Sequence, residues 1–110
     1  MQEKMIIYVD IDETICTTPG NKNTARNYGN AKPILKNIEK CNKLYDDGNT
    51  IVYWTARGTK TGDDWYDVTK KQLIEWNVKH HDLILNKPYY DLFIDDKAIN
   101  SESFFNQKEE

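Results

Sequence analysis

Cysteine is scarce in this chain of 110 residues: Cys16 and Cys41 are the two present, and they form no metal-ligand spacing. They read as free thiols of a reducing compartment, with a disulfide between them as the alternative. The two histidines are adjacent, at His80-His81, with no cysteine or acid at zinc spacing. They read as a loop pair. No run approaches the roughly 18 apolar residues of a spanning helix, and the N-terminus lacks the apolar core of a signal peptide, so a soluble cytoplasmic protein is expected. Positive charge is also short. Fifteen Lys and Arg stand against 18 Asp and Glu, a net charge of −3. That balance argues against general nucleic-acid or anionic-membrane binding, but not against a small phosphorylated ligand in a local pocket. Internal repeats, linkers and low-complexity segments are missing as well.

What is present suits one domain. A hydrophobic content of 38% with 12% aromatics marks a globular rather than a disordered chain. At this length roughly two-thirds of the unfolded surface can be buried, enough for one sheet with flanking helices. The organising stretch is Met5 to Thr14. Met5-Ile6-Ile7-Tyr8-Val9 reads as a strand buried on both faces, as in the middle of a parallel sheet, and it runs into Asp10-Ile11-Asp12-Glu13-Thr14. Residues 15–30, rich in Thr, Asn, Gly and Lys around Pro19-Gly20, signal a loop or small flap. Pro33 is expected to open a helix whose apolar face carries Ile34, Ile38, Cys41 and Tyr45, with Gly48 as its left-handed cap. Thr50 to Trp54 reads as a second strand. A helix is expected from about Asp64 to Val78, capped by Thr61 or Asp63, with Trp65, Thr69, Leu73 and Trp76 along one side. Leu83-Ile84-Leu85 and Tyr90 to Ile94 read as third and fourth strands. A short helix over residues 101–106 offers Phe104 and Phe105 to the core, and residues 107–110 are expected to fray.

Alternation of this kind predicts an α/β fold: a mostly parallel, Rossmann-like sheet in three layers with no cap domain. Parallel strands put their C-terminal ends on one edge. Asp10 and Asp12, Thr55, Lys87, and Asp95 with Asp96 all fall at such ends or in the loops that follow. Asp10, Asp95 and Asp96, with a backbone carbonyl and waters, make an all-oxygen set suited to Mg²⁺. Alone, each aspartate reads as a turn-former or cap, but four gathered together would repel one another without a cation. Thr55, Lys87 and nearby backbone N–H groups, those of Ala56 and Arg57 among them, can bind phosphoryl oxygens. Taken singly, Thr55 reads equally as a capping hydroxyl and Lys87 as a surface lysine before a proline. Arg57 is a substrate clamp or an ordinary loop arginine. Together these parts suggest phosphoryl transfer. Asp10 would attack phosphorus and Asp12 would act as general acid and base.

Asp10-Ile11-Asp12-Glu13-Thr14 resembles the first motif of the haloacid dehalogenase-like (HAD) superfamily, Asp-x-Asp-x-Thr. Thr55 after its strand resembles the second motif, Lys87 the third, and Asp95-Asp96 the paired acids of the fourth. The ordered set spans Met5 to Asp96. The resemblance implies a phosphatase with Asp10 as nucleophile and Asp12 as general acid/base. It implies Mg²⁺ on Asp10, Asp95 and the Asp12 main-chain carbonyl, with Asp96 as a further ligand, and phosphate on Thr55 and Lys87. Glu13 departs from the family's commonest form, which has glycine there. More narrowly, the Asp-Ile-Asp-Glu-Thr-Ile-Cys start, Tyr53-Trp54-Thr55-Ala56-Arg57-Gly58, and Lys87-Pro88 before Asp95-Asp96 resemble small capless capsule- or polysaccharide-biosynthesis phosphatases. The implied substrate is a small phosphorylated metabolite such as a sugar phosphate. A homo-oligomer covering the open site is compatible with that type.

Three other classes compete. A receiver-like signalling domain uses similar groups, but its acid pair follows the first strand, whereas here the pair closes the set. A 3′-phosphatase on nucleic-acid ends fits an open site and is disfavoured by the acidic balance. A catalytically silent phospho-ligand domain is opposed by the presence of both Asp10 and Asp12. Cys16 lies near the site without a base to activate it. Trp65 and Trp76 read as core rather than a sugar platform. Tyr89 or Tyr90 is placed to edge the pocket, and Arg26 and Tyr28 read equally as substrate contacts or solvated loop residues.

Overall fold

The computed structural model describes residues 3–20 and 26–106. The expected frayed tail and part of the expected flap, residues 21–25, lie outside them. Three parallel strands form the main sheet in the order β1 (Ile6–Val9), β4 (Thr50–Trp54), β5 (Asp82–Ile84). Ile6 pairs opposite Thr50 and Val9 opposite Tyr53, while Val52 lies opposite Asp82 and Trp54 opposite Ile84. The central position belongs to β4, whose Ile51, Val52 and Tyr53 are all buried. The expectation of a doubly buried first strand is corrected: β1 lies at an edge of this sheet, with Ile7 and Val9 inward and Ile6 and Tyr8 exposed. Two residues of β2 (Cys16–Thr17) pair antiparallel with β3 (Lys32–Pro33), closing the loop after β1.

Helix α1 (Leu35–Asp46) buries Ile38 and Cys41 against the sheet, as its apolar spacing requires. Pro33 does not open it. That residue sits in β3, and the Ile34 N–H, which donates to the Ile15 carbonyl at 2.8 Å, marks the entry. The helix ends at Gly48, whose φ of +100° is the left-handed turn and whose N–H returns to the Tyr45 carbonyl. Helix α2 (Tyr66–Glu75) begins later than expected. Its first turn receives the Asp64 carboxylate on the Tyr66 N–H at 3.0 Å, in place of Thr61 or Asp63. A short α3 (Ser101–Phe105) is capped by Asn100, which accepts from the N–H groups of Glu102 and Ser103. The core joins Ile11, Ile15, Cys16, Ile38, Cys41, Ile51, Tyr53 and Leu73. Both cysteines are buried and free, so the disulfide alternative falls.

The expected fourth strand, Tyr90 to Ile94, does not form. The segment is irregular, and Leu92 and Ile94 are 75% and 87% exposed. An apolar run marks residues that gain from burial, but a strand exists only where its N–H and C=O groups find a ladder partner. Among the described residues no helix is long and apolar enough to cross a membrane.

Candidate active site

The turn after β1 is built from its own backbone. The Ile11 carbonyl accepts from the N–H groups of Thr14 and Ile15, and the Glu13 N–H donates to the Cys16 carbonyl at 2.8 Å. Ile11 and Ile15 are fully buried beneath it. Glu13 takes φ +60°, a left-handed conformation uncommon outside glycine. Its carboxylate meets Arg26 in an ion pair at the mouth of the cleft.

The ends of β4 and β5 supply a hydroxyl, on Thr55, and the opposing charge, on Lys87. The Thr55 N–H donates to the Ile84 carbonyl at 3.0 Å, and the Thr55 carbonyl accepts from the Lys87 N–H at 3.1 Å. This extension of the β4–β5 ladder sets Lys87 beside Thr55. Lys87 Nζ then stands 3.7 Å from Asp10 Oδ2, between the rings of Trp54 and Tyr90 at 5.6 and 5.5 Å from their centroids. Asp10 Oδ1 accepts from the Ile11 N–H at 2.8 Å. Loss of hydration raises the Asp10 carboxyl above its ordinary value. Lys87 is the largest opposing influence, and the nearby charge of Asp12 adds to the rise.

Asp12 is held differently. Its Oδ2 accepts from Arg57 Nε at 3.0 Å and its Oδ1 from Arg57 Nη2 at 2.9 Å; the Thr18 hydroxyl also donates to Oδ1. The Arg57 side chain is wholly buried. Its Nη1 donates to Thr69 Oγ1 at 3.1 Å and to Gln72 Oε1 at 2.6 Å, and the guanidinium lies 4.9 Å from the Tyr28 ring centroid. Gln72 in turn donates to the Tyr28 carbonyl at 2.7 Å. One guanidinium therefore joins the first turn, α2 and the 26–30 segment. Cys16 Sγ, 3.7 Å from Asp12 Oδ1, is pushed up to about 11 by burial and stays a thiol at neutral pH.

Asp10, Asp12, Thr55, Ala56, Arg57 and Lys87 line one cleft of about 630 Å³. Asp95 and Asp96 are exposed and lie outside that lining. Asp95 lines a neighbouring hollow that shares Asp10 and Lys87 with the cleft. Among the described residues no group of three or more His, Cys, Asp or Glu side chains is placed to hold a metal ion. The donors are hard oxygens of the kind Mg²⁺ prefers; their assembly is incomplete at Asp95 and Asp96.

Sequence reasoning passed over Thr18, Gln72 and the structural part of Thr69. A signal was available: Thr69 and Gln72 are polar residues beside Leu73 on the buried stripe of α2, and buried polar groups need partners. Trp65, expected in the core, also lines the cleft.

Among solved structures, the chain is similar to the crystal structure of an MCSG target from Vibrio cholerae. The match has a TM-score of 0.78 at 25% identity and covers 96% of this chain and 90% of that one. No protein-family model and no curated protein matches the chain.

Proposed function

We propose that the protein is a phosphomonoesterase with a HAD-like, Rossmann-type arrangement, working on a small phosphorylated metabolite in a reducing, cytoplasmic setting. The observation that carries the reading is the 3.7 Å approach of Lys87 Nζ to Asp10 Oδ2, at strand ends that also carry Thr55. A carboxylate paired with one ammonium beside a buried hydroxyl is suited to receive a phosphoryl group. The cation balances charge on the transferred oxygens, and Thr55 orients them.

In this reading an Asp10 oxygen attacks phosphorus and forms an acyl phosphate. The bond to the leaving alcohol breaks, and that alcohol takes a proton from Asp12. Water then attacks the same phosphorus and returns a proton to Asp12, releasing inorganic phosphate and free Asp10. Arg57 aims the Asp12 side chain, and one arm of its fork must release an Asp12 oxygen for that oxygen to carry the proton. Mg²⁺ is the proposed cofactor: Asp10, the Asp12 main-chain carbonyl, Asp95 and Asp96 are the groups that would hold it, the last two only after moving in from their exposed positions; when bound it would supply charge neutralisation at the phosphoryl oxygens.

The test is phosphate release from p-nitrophenyl phosphate, with Mg²⁺ and with EDTA, for the wild type and Asp10→Asn. Metal-dependent release that vanishes in Asp10→Asn, with an unchanged circular dichroism spectrum, is expected. Full turnover by Asp10→Asn would remove the nucleophile assignment.

A further inference from the structure

The groups assigned to phosphate, Asp10, Thr55 and Lys87, make up only a small part of the lining of the cleft. At about 630 Å³ it has the size of a pocket for a whole small organic ligand, not for phosphate alone. Tyr28, Trp65, Tyr89 and Tyr90 share that lining. Tyr28 and Trp65 meet edge to face with centroids 5.0 Å apart. From the loop after β5 come Tyr89 and Tyr90, which remain 50% and 40% exposed. Lys60 Nζ stands 4.9 Å from the Tyr89 ring centroid.

These rings are more than packing. Tyr28 is fixed by its carbonyl bond to Gln72 and by the Arg57 guanidinium beside its ring. Trp65 is fixed where α2 begins, its ring against the Gly58 backbone: a Cβ built on Gly58 would come within 3.1 Å of Trp65 Cδ1. Tyr89 and Tyr90 directly follow Lys87-Pro88, so their position is coupled to the phosphate-binding lysine. Half-exposed rings held at the mouth of a concave site leave apolar surface in water unless a ligand covers it. Walls of this kind, with a cation beside one ring, suit a planar heteroaromatic group better than a polyhydroxylated one, because a flat π-face stacks on tyrosine and tryptophan without needing a dense set of hydrogen-bond partners.

Resting on the phosphomonoesterase reading, we propose that the leaving group carries a nucleobase: the substrate class is a free nucleoside monophosphate, its phosphate at Asp10 and Lys87 and its base against Tyr28, Trp65 and Tyr89. The net charge of −3 favours a mononucleotide over the end of a polyanion.

The experiment compares kcat/KM on AMP, UMP, ribose 5-phosphate, p-nitrophenyl phosphate and a short 3′-phosphorylated oligonucleotide. Calorimetric binding of AMP and ribose 5-phosphate to Asp10→Asn runs alongside. Mononucleotides are expected to exceed ribose 5-phosphate by about tenfold, in turnover and in binding, the advantage that one base–aromatic stack confers. In Tyr89→Ala that ratio is expected to fall toward one, and in Tyr89→Phe to persist. Equal values for AMP and ribose 5-phosphate, an unchanged ratio in Tyr89→Ala, or a tenfold preference for the oligonucleotide would overturn the proposal. Absence of turnover on every compound would remove the phosphatase reading instead, and the binding comparison would still decide whether a nucleobase is recognised.

Discussion

Arg57 grips both carboxylate oxygens of Asp12 through Nε and Nη2, at 3.0 and 2.9 Å, from a wholly buried position. A guanidinium fork fixes a carboxylate in plane and distance as a lysine cannot. The pair also explains why Thr69 and Gln72 are polar within the buried stripe of α2: they take the Nη1 protons that would otherwise be unmatched.

Arg57→Lys should therefore be damaging despite its retained charge. The ammonium cannot reach Asp12, Thr69 and Gln72 together, and breaking a buried pair of this kind costs about 3 kcal/mol. Urea unfolding should show that loss, and phosphate release should fall at least about tenfold if Asp12 is the acid and base that Arg57 aims. A variant with wild-type stability and turnover would show that the fork is dispensable.

Glu13 is the second case. Its φ of +60° costs a side-chain-bearing residue roughly 1 kcal/mol or more, and its ion pair with Arg26 is too exposed to return much. Glu13→Gly should be more stable than Glu13→Ala by about 1 kcal/mol. Equal thermal midpoints for the two variants would mean that the turn relaxes away from the left-handed region.

Gly58→Ala should be worse than conformation alone requires. At φ +82° the new Cβ would run into the Asp63 carbonyl oxygen, a backbone atom with no freedom to rotate aside. The loop from Thr55 to Asp64 would have to move. A cost well above about 1 kcal/mol is expected in denaturant unfolding, with weaker ligand binding in the cleft. A cost at or below that level would contradict the close approach.

His80 predicts a pH dependence of stability. Burial lowers its pKa from 6.5, with a smaller downward contribution from Lys70; the hydrogen bond to the Val78 carbonyl and Asp82 oppose the fall. Val78 O lies 3.0 Å from Nδ1 and Lys70 Nζ 2.8 Å from Nε2, which suits a neutral ring protonated at Nδ1. Because the unfolded chain takes up the proton first, the contribution is complete above about pH 6.5 and is lost as pH falls through the lowered folded value. Urea midpoints at about pH 7.5 and about pH 5.5 should differ less in His80→Gln than in the wild type. An identical difference would assign the slope to other groups.

Much of the frame was legible in the chain itself. The apolar runs at Ile6 to Val9 and Thr50 to Trp54, the 3.6-residue spacing from Ile38 to Tyr45 and the stop at Gly48 each became the element expected, because local periodicity and turn chemistry act over a few residues. Asp10, Thr55 and Lys87 line one cleft for a related reason. In a parallel sheet the position of a strand's last residue follows from where the strand is.

The sequence alone therefore determined the parallel α/β order and the residues carried at its strand ends. Only the tertiary structure decided what those residues touch. It bound Arg57 to Asp12 rather than leaving it a free loop arginine, brought Trp65 and Tyr28 to the cleft, left Tyr90 to Ile94 without a ladder partner, and left Asp95 and Asp96 exposed and outside the lining of the cleft. Those outcomes turn on contacts between residues up to 45 positions apart. Such contacts are chosen by competition among all buried polar groups for partners and among apolar faces for cover, and no local pattern records the result.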